Sequence, residues 1–246
     1  HNKNTIKHLY YRYEDVLNEV GEVVGSKEVD DVNRGWFVGK DISAIWDHEF
    51  IGIWQEDEAE EAAKYGQQPG DAKVRDVNGD YKITQEDKVF LGQETPKFRW
   101  SFRNEFTLFR NWDISLNLYS QMGHKQSTTE YLNFFDNLGD YSNTYKREYW
   151  TPENKSNSYA RLKSTRPSNI NPKKVINKGF IRLENISVSY RVPQQFARKL
   201  MAKEISIYGT VRNVAVWAFD KEWDYWDPET KGLLPRTFTF GASITF

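Results

Sequence analysis

The feature that most constrains this chain is an alternation of apolar and polar residues with a period of two, which recurs over several long segments. Between Phe98 and Leu108, Phe, Trp and Leu take nearly every second position, and the residues between them include two Arg and one Glu. Successive side chains of a β-strand point to opposite faces, whereas a helix repeats every 3.6 residues. The alternation therefore predicts strands with one apolar and one polar face.

Six segments carry this pattern. Two of them, 98–108 and 112–119, flank the short connection Arg110-Asn111, which predicts a β-hairpin. In the third segment, 180–192, the phase of the pattern slips near Asn185, and a β-bulge is the simplest explanation. The remaining three segments are 205–217, 236–246 and a weaker one at 42–54. The end of a seventh strand is predicted at 4–13.

Connection lengths alternate along the chain, as they do in a membrane barrel with tight turns at one end and large loops at the other. The segment 14–41 departs from this scheme because it should be short and is not. In the first long connection, acidic residues, Lys64 and then Gly66 predict a short helix from Glu56 to Tyr65. The short connections are 110–111 and 193–203, and the long ones are 55–96, 123–179 and 218–235.

Composition narrows the functions open to the chain. The net charge of −1, from 34 Lys and Arg against 35 Asp and Glu, argues against a strongly basic nucleic-acid-binding protein. There is no Cys, and the four His are scattered without metal-ligand spacing. The sequence has no G-x-S-x-G, P-loop or G-x-G-x-x-G motif. We therefore predict that the protein is not an enzyme and has no nucleic-acid partner.

Alternating strands fit either a membrane barrel or a soluble β-sandwich. Aromatic residues near the strand ends, the alternating loop lengths and a last strand ending on Phe246 favour the barrel. An Arg facing lipid near the bilayer centre costs about 2–4 kcal/mol, so the strand Arg residues are expected to face the lumen. The alternative is a soluble β-sandwich that binds carbohydrate and has a calcium-stabilised loop. The lumen-facing charges, expected to form ladders between strands or towards a plug, include Arg99, Arg103, Glu105, Arg182 and Arg212.

The number of strands sets a further limit. Bacterial outer-membrane barrels close with eight or more strands, whereas this chain has six, or seven with the partial strand at 4–13. An open sheet edge has unpaired backbone groups and does not persist in lipid. We therefore expect the chain to be the C-terminal part of a larger barrel, or one chain of a split one.

Eight motifs spread over nearly the whole chain point to one family. They resemble, in the same order, the C-terminal region of SusC/RagA-type TonB-dependent outer-membrane transporters. The motifs are NKNTIKHL at Asn2, IGIWQ at Ile51, PGDAKVRDVNGDYKITQEDKVFLGQETPKFRWSFRNEF at Pro69, REYWTPEN at Arg147, GFIRLENISVSYRVP at Gly179, ISIYGTVRNVAVW at Ile205, YWDPE at Tyr225 and PRTFTFGASITF at Pro235.

The resemblance implies an all-β fold in which residues 1–246 form the C-terminal six to seven antiparallel strands of a 22-stranded transmembrane barrel. The extracellular loops would be 55–96, 123–179 and 218–235. It also implies a place in the cell outer membrane and import of glycan or peptide oligomers. The implied partners are the rest of the barrel and its plug, a SusD-like surface lipoprotein, membrane lipid, and TonB through an N-terminal region that lies upstream.

One local motif has the spacing of an EF-hand-like calcium loop, which wraps hard oxygen ligands around Ca²⁺. Position 6 holds Tyr81 instead of Gly, and position 12 holds Asp87 instead of Glu. The alternative is a turn rich in Asp and Asn that is held by its own hydrogen bonds. The predicted ligands are Asp76, Asn78, Asp80, the Lys82 carbonyl, Thr84 and Asp87.

Aromatic residues in the last long connection are the candidate substrate site. Trp223, Tyr225 and Trp226 are interleaved with Asp residues, and aromatic faces flanked by carboxylates suit a glycan. The alternative is an interfacial belt or a contact surface for the lipoprotein. The same two interpretations apply to the aromatic residues of 123–179, which are Tyr131, Phe134, Phe135, Tyr141 and Tyr145.

Overall fold

The computed structural model describes residues 1–128, 148–223 and 226–246. The chain forms two compact units, one made of 1–2, 95–124 and 177–246 and the other of 3–94 and 125–176. In the described residues no helix has the length and apolar character needed to cross a membrane.

The described elements are mainly strands, which confirms the all-β class. The strands are β1 (Tyr13–Leu17), β2 (Val23–Glu28), β3 (Ala44–His48), β4 (Phe50–Ile53), β5 (Ala72–Val74), β6 (Lys88–Gln93), β7 (Phe98–Leu108), β8 (Trp112–Met122), β9 (Lys125–Thr128), β10 (Lys174–Asn177), β11 (Phe180–Arg191), β12 (Glu204–Ala218) and β13 (Thr237–Thr245). The helices are α1 (Ala59–Lys64) and α2 (Gln194–Ala197), with 3₁₀ turns at Glu56–Glu58, Gln85–Asp87, Pro167–Asn169, Arg198–Leu200 and Lys221–Trp223.

The first unit contains a five-stranded antiparallel sheet in the order β13-β12-β11-β8-β7. The predicted hairpin is confirmed, since β7 pairs with β8 down to Leu108 opposite Trp112. Its turn is centred on Phe109 and Arg110, one residue earlier than predicted, with φ of +48° and +68°. Positive φ at both central residues twists the turn to match the strands, although Asn and Gly adopt it more easily.

The β-bulge predicted near Asn185 is confirmed. The register of β11 shifts between Leu183 and Asn185 against both of its neighbours. Against β8, Glu184 is the extra residue of β11, whereas against β12 the extra residue lies in β12, between Arg212 and Ala215. One extra residue reverses the side to which all later side chains point. The bulge thus keeps Ile186, like Leu183, on the apolar face of the sheet.

The two faces of this sheet differ completely in charge. The register places Phe102 beside Leu118, and Gly209 beside Phe240, on a face that carries no Asp, Glu, Lys or Arg along the five strands, all of which the structure describes. Its exposed side chains include Phe102, Phe106, Ile207, Phe238, Phe240 and Ile244. The opposite, polar face carries the strand charges Arg99, Arg103, Glu105, Asp113, Arg182, Glu184, Arg191, Glu204 and Arg212.

The short connections of this sheet lie together at one end. The backbone N–H of Arg191 donates to the Asn111 carbonyl (2.8 Å), and the Asn111 side chain donates back to the Arg191 carbonyl (2.7 Å). The hairpin turn therefore contacts the end of β11, where the connection through α2 begins. Because the strands are antiparallel, the long connections after β8 and β12 leave from the other end.

Two strand positions differ from the sequence prediction. The segment 42–54 is two short strands, β3 and β4, which belong to the second unit and pair with β6 and β5. The predicted strand end at 4–13 is wrong, because strand structure begins only with β1 at Tyr13. Five of the six predicted strands therefore share the large sheet. In the segment 14–41, which did not fit the loop scheme, β1 and β2 form a two-stranded sheet.

The predicted helix at 56–65 is confirmed as a 3₁₀ turn at Glu56–Glu58 that continues into α1. Its N-terminus is capped by a hydrogen bond from the Gln55 N–H to the Glu58 carboxylate (3.1 Å). Gly66 follows the helix with φ of +67°, as a glycine that ends a helix commonly does. Ala62 is the fully buried residue of α1, so the helix packs against its unit through this side chain.

The core of the second unit is organised around buried polar groups. The carboxylate of Asp71 is fully buried and accepts hydrogen bonds from Arg161 Nε (2.8 Å) and from the Thr165 N–H (2.8 Å). The indole of Trp54 donates to Gln67, whose amide donates in turn to the Ala72 carbonyl. The two Asp71 contacts join residues 90 and 94 positions apart, so the described parts of 55–96 and 123–179 are packed against each other.

We expect Asp71→Ala to lower the free energy of unfolding of this second unit by about 3–5 kcal/mol, because it leaves the Arg161 guanidinium without its buried partner. Hydrogen–deuterium exchange on the full-length protein should show faster exchange in peptides covering 53–74 and 150–166. Glu61→Ala is the matched control, because Glu61 pairs with Lys64 at the exposed surface and its loss should change nothing measurable. Equal exchange in both variants would contradict the assignment.

Candidate functional site

The polar face of the large sheet holds a buried cluster centred on Arg182. Its guanidinium donates to Asp227 (2.5 Å) and lies 3.5 Å from Glu229, and its side chain is only 3% exposed. Tyr119 and Gln121 of β8 donate to the same Glu229 carboxylate, at 2.5 and 3.0 Å. The cluster therefore fastens the connection between β12 and β13 onto the polar face.

The aromatic rings beside Arg182 complete its surroundings. Its guanidinium carbon lies 5.2 Å from the ring centre of Phe180, which is fully buried, and 5.9 Å from that of Tyr119. The Nε of Arg182 is buried without a hydrogen-bond partner among the described residues. A desolvated guanidinium needs its carboxylate partners, so the position of the connection is fixed by charge as well as by packing.

A local turn within the connection between β12 and β13 orients the carboxylate of Asp227. One oxygen of Asp227 accepts the N–H groups of Glu229 and Thr230 (both 3.0 Å), and the other accepts Arg182. Such a local turn fixes the carboxylate without help from the sheet. The expectation that Arg182 belongs to a ladder between strands or towards a plug is therefore corrected, since its partners lie in the connection.

The predicted substrate residues differ in their exposure to solvent. Trp223 is 8% exposed, and its indole N–H donates to the Asn177 carbonyl (2.7 Å), so this ring anchors the connection where it leaves the sheet. Trp226 is half-buried. Tyr225 lies outside the described residues, as do the five aromatic residues predicted as candidates between 131 and 145. Substrate binding by these residues stays a prediction.

The polar face also has a small depression of about 190 Å³, lined by Arg103, Asn117, Asn185 and Thr210. Arg103 forms an exposed ion pair with Glu105 on its own strand (2.6 Å). These side chains can exchange hydrogen bonds with water or with a hydrophilic solute that passes along the face. The side chains that line this depression bring together no nucleophile, base and orienting group.

The loop from Asp76 to Asp87 folds on its own hydrogen bonds. One oxygen of Asp76 accepts the Gly79 N–H (2.7 Å), and the other accepts the Tyr81 N–H (2.9 Å). Asn78 and Asp80 each accept the N–H two residues later. Asp87 is fully buried and accepts the N–H groups of Val77 and Thr84 (2.8 and 2.7 Å).

Tyr81 takes the backbone conformation that position 6 of an EF-hand-like loop requires. Its φ is +62°, which costs a non-glycine residue about 1–2 kcal/mol. Its ring is 5.5 Å from that of Tyr65, and Lys64 Nζ lies 5.0 Å from the ring centre. These ring contacts offset part of the strain and explain how a tyrosine occupies the turn.

The electrostatics of the loop favour the ionised form of Asp76. Burial raises the pKa of Asp76, but the N–H groups of Gly79, Tyr81 and Asp80 and the Tyr65 hydroxyl together lower it by more, so the pKa lies below its usual value. Burial and the nearby Asp76 charge raise the pKa of Tyr65 to about 12. Across the described residues, three or more His, Cys, Asp or Glu side chains nowhere gather in a group that could hold a metal ion.

Sequence comparison relates the chain to TonB-dependent receptors. It is 26% identical over 247 residues to TonB-dependent receptor P26 of Formosa agariphila, and this alignment covers 92% of this chain and 24% of that protein. It is 23% identical over 227 residues to TonB-dependent receptor P3 of the same organism, and this alignment covers 85% of this chain and 22% of that protein. The chain therefore spans about a quarter of the length of the curated relatives it matches. No family model matches it.

Structure comparison gives the same fold. The RagAB peptide importer in the open-open state superposes with a TM-score of 0.60 and 15% identity over 98% of this chain and 25% of that chain. The RagAB peptide transporter superposes with a TM-score of 0.59 and 16% identity, over 88% of this chain and 24% of that chain. Together with the two receptors, these structures confirm the resemblance drawn from the eight motifs.

We expect Arg182→Met to release the connection between β12 and β13, because removing one partner of a buried ion pair costs about 3–5 kcal/mol. Hydrogen–deuterium exchange in peptides covering 226–236 should become faster, and Asp227→Asn should add little in the double variant because both remove one interaction. Arg103→Met is the control, since the exposed pair of Arg103 with Glu105 should not affect this peptide. Unchanged exchange in Arg182→Met would show that packing alone holds the connection.

Proposed function

We propose that this chain, a segment of a SusC/RagA-like TonB-dependent transporter, forms part of the wall of an outer-membrane β-barrel that imports nutrient oligomers. The barrel would work with a SusD-like surface lipoprotein, and TonB would supply energy through a region outside this chain. The substrate would be a glycan or a peptide. Within this assembly, the chain supplies wall and loops.

The observation that carries the proposal is the apolar face without charges. Phe102, Phe238 and Phe240 are each more than half exposed on that face. In water, a continuous exposed apolar sheet face is an aggregation hazard, whereas lipid is its natural solvent. A soluble sandwich would cover these side chains with a second sheet, so their exposure argues against that alternative.

The aromatic residues at both ends of the face support a membrane position. Trp100 and Trp217 lie towards the long connections, and Trp112 packs against Tyr190 at the other end with ring centres 4.7 Å apart. From Trp100 to Leu108, opposite Trp112, the strand rises about 26 Å at roughly 3.3 Å per residue. That length suits an apolar band of about 25 Å with aromatic girdles.

The edges of the sheet support a larger barrel. Among the described residues, β7 and β13 pair on one side only. Unpaired strand edges cost several kcal/mol per backbone group in lipid, so further strands would have to pair with both. In such a barrel the polar face lines the lumen, where Arg103, Glu105 and Arg212 contact water or solute.

The substrate site would lie among the long connections. We retain Trp223, Tyr225 and Trp226 as the proposed substrate residues, with Trp226 as the best placed of those described. Trp223 would have to leave its hydrogen bond with Asn177 before it could stack on a substrate.

A second proposal concerns Ca²⁺ in the loop 76–87. The left-handed Tyr81 and the ionised Asp76 favour it. The ligands would be Asp76, Asn78, Asp80, the Lys82 carbonyl, Thr84 and Asp87, and each carboxylate keeps lone pairs beyond those used by backbone N–H groups.

The import proposal is tested with two neighbouring substitutions in the full-length transporter, expressed with its lipoprotein partner. Phe102→Arg places a charge on the apolar face and should cost about 2–4 kcal/mol, lowering the folded protein in outer membranes and the uptake of labelled oligomers in proportion. Ser101→Arg, on the polar face, should assemble normally. Equal assembly of both variants would overturn the lipid-facing assignment, and normal assembly without any uptake would overturn the import role.

Calorimetry on the same transporter tests the calcium proposal. Titration with Ca²⁺ should give a binding heat with sub-millimolar affinity at best, and Asp76→Ala plus Asp80→Ala should remove it. Asp57→Ala plus Glu60→Ala, on the exposed start of the helix, is the control with the same loss of charge. Heats that persist in the first double variant would rule out this loop as the site.

A further inference from the structure

The second unit has a cleft of about 460 Å³ that the import proposal does not use, and Thr84 is the one lining residue that it shares with the proposed calcium ligands. It opens between the end of β3, the 3₁₀ turn at Gln85–Asp87 and the segment before β10. The volume is within the range of about 300–1,000 Å³ that is usual for ligand sites. Seven of its eight lining residues have polar or charged side chains, which can pair with the polar groups of a hydrophilic ligand.

Two neighbouring side chains of β3, the buried His48 and the partly buried Asp47, hold the cleft in shape. His48 is 5% exposed, and its Nε2 lies 2.6 Å from the Thr84 carbonyl. Asp47 accepts the His48 N–H (2.9 Å) and pairs with Lys173 (2.6 Å). These contacts tie β3 to both other walls, which are 36 and 126 residues away in sequence.

Of the two lysines that line the cleft, one is paired with a carboxylate of the cleft and the other is not. Lys173 neutralises Asp47, whereas Lys88, which also lines the cleft, has no carboxylate within ion-pair distance among the described residues. Lys88 Nζ lies 5.1 Å from the ring centre of Trp46, which orients the ammonium group without neutralising it. A partly enclosed lysine of this kind is suited to pair with an anion.

We propose that this cleft binds a carboxylate group of a hydrophilic oligomer, with Lys88 as the pairing cation. Gln85 and Asn171, which also line the cleft, can exchange hydrogen bonds with the hydroxyl or amide groups beside that carboxylate. A carboxylate can come from a uronic acid in a glycan or from the C-terminus of a peptide. The inference extends the proposed function, since the oligomer is taken to be the imported substrate.

The test measures binding separately from uptake, on the purified full-length transporter with its lipoprotein partner. The probes are trigalacturonate, its methyl ester, a tetraalanine peptide and the same peptide as its C-terminal amide. We expect one of the two acids to bind and its neutral form to bind at least tenfold more weakly. Lys88→Gln should weaken binding of that acid about tenfold, and Lys88→Arg should restore it.

Lys7→Gln is the matched control, because this exposed lysine of the same unit does not line the cleft. The proposal is overturned if neither acid binds, if the neutral form binds equally well, or if Lys88→Gln binds as wild type does. Those outcomes with normal uptake leave the import role standing. Acid binding that depends on Lys88, without uptake of any oligomer, would support the cleft and count against the import role.

Discussion

The separation of charge between the two faces of the large sheet is the constraint on which the rest of this structure depends. Every strand charge lies on the polar face, so in the proposed barrel the surface that contacts lipid and the surface that lines the passage would be opposite sides of one layer. The carboxylates of Asp227 and Glu229 can reach a partner only on that polar side. Arg182 is that partner, so the same separation of charge also determines where the connection between β12 and β13 packs.

The β-bulge at Glu184 shows how strictly the separation is kept. The residues Ile181 and Leu183 before it, and Ile186 after it, cannot share a face in a regular strand because their spacing is odd. The extra residue restores the phase, and the Glu184 carboxylate then accepts a hydrogen bond from Asn117 on the polar face. Without the bulge, one half of β11 would present its polar residues on the apolar side of the sheet.

Local signals made much of the fold predictable from the sequence. Alternation located the five long strands, the phase slip located the bulge, and Gly66 marked the end of the helix. The division of 42–54 was missed because β3 and β4 each pair with a strand about 20 to 50 residues away, which the local pattern does not report. The cluster of Arg182 with Asp227 was missed for the same reason, since 45 residues separate two charges that look solvated in sequence.

The loop 76–87 illustrates why a motif alone does not decide its chemistry. Its carboxylates already satisfy backbone N–H groups, so the loop is closed by its own hydrogen bonds and needs no cation to form. A cation would therefore bind to a loop that is already ordered, so its binding would not carry the entropic cost of ordering the loop. It would also compete with those N–H groups for carboxylate lone pairs and would lack the long bidentate Glu at position 12. The two effects oppose each other, which places the expected affinity with weak extracellular calcium modules and not with calcium sensors.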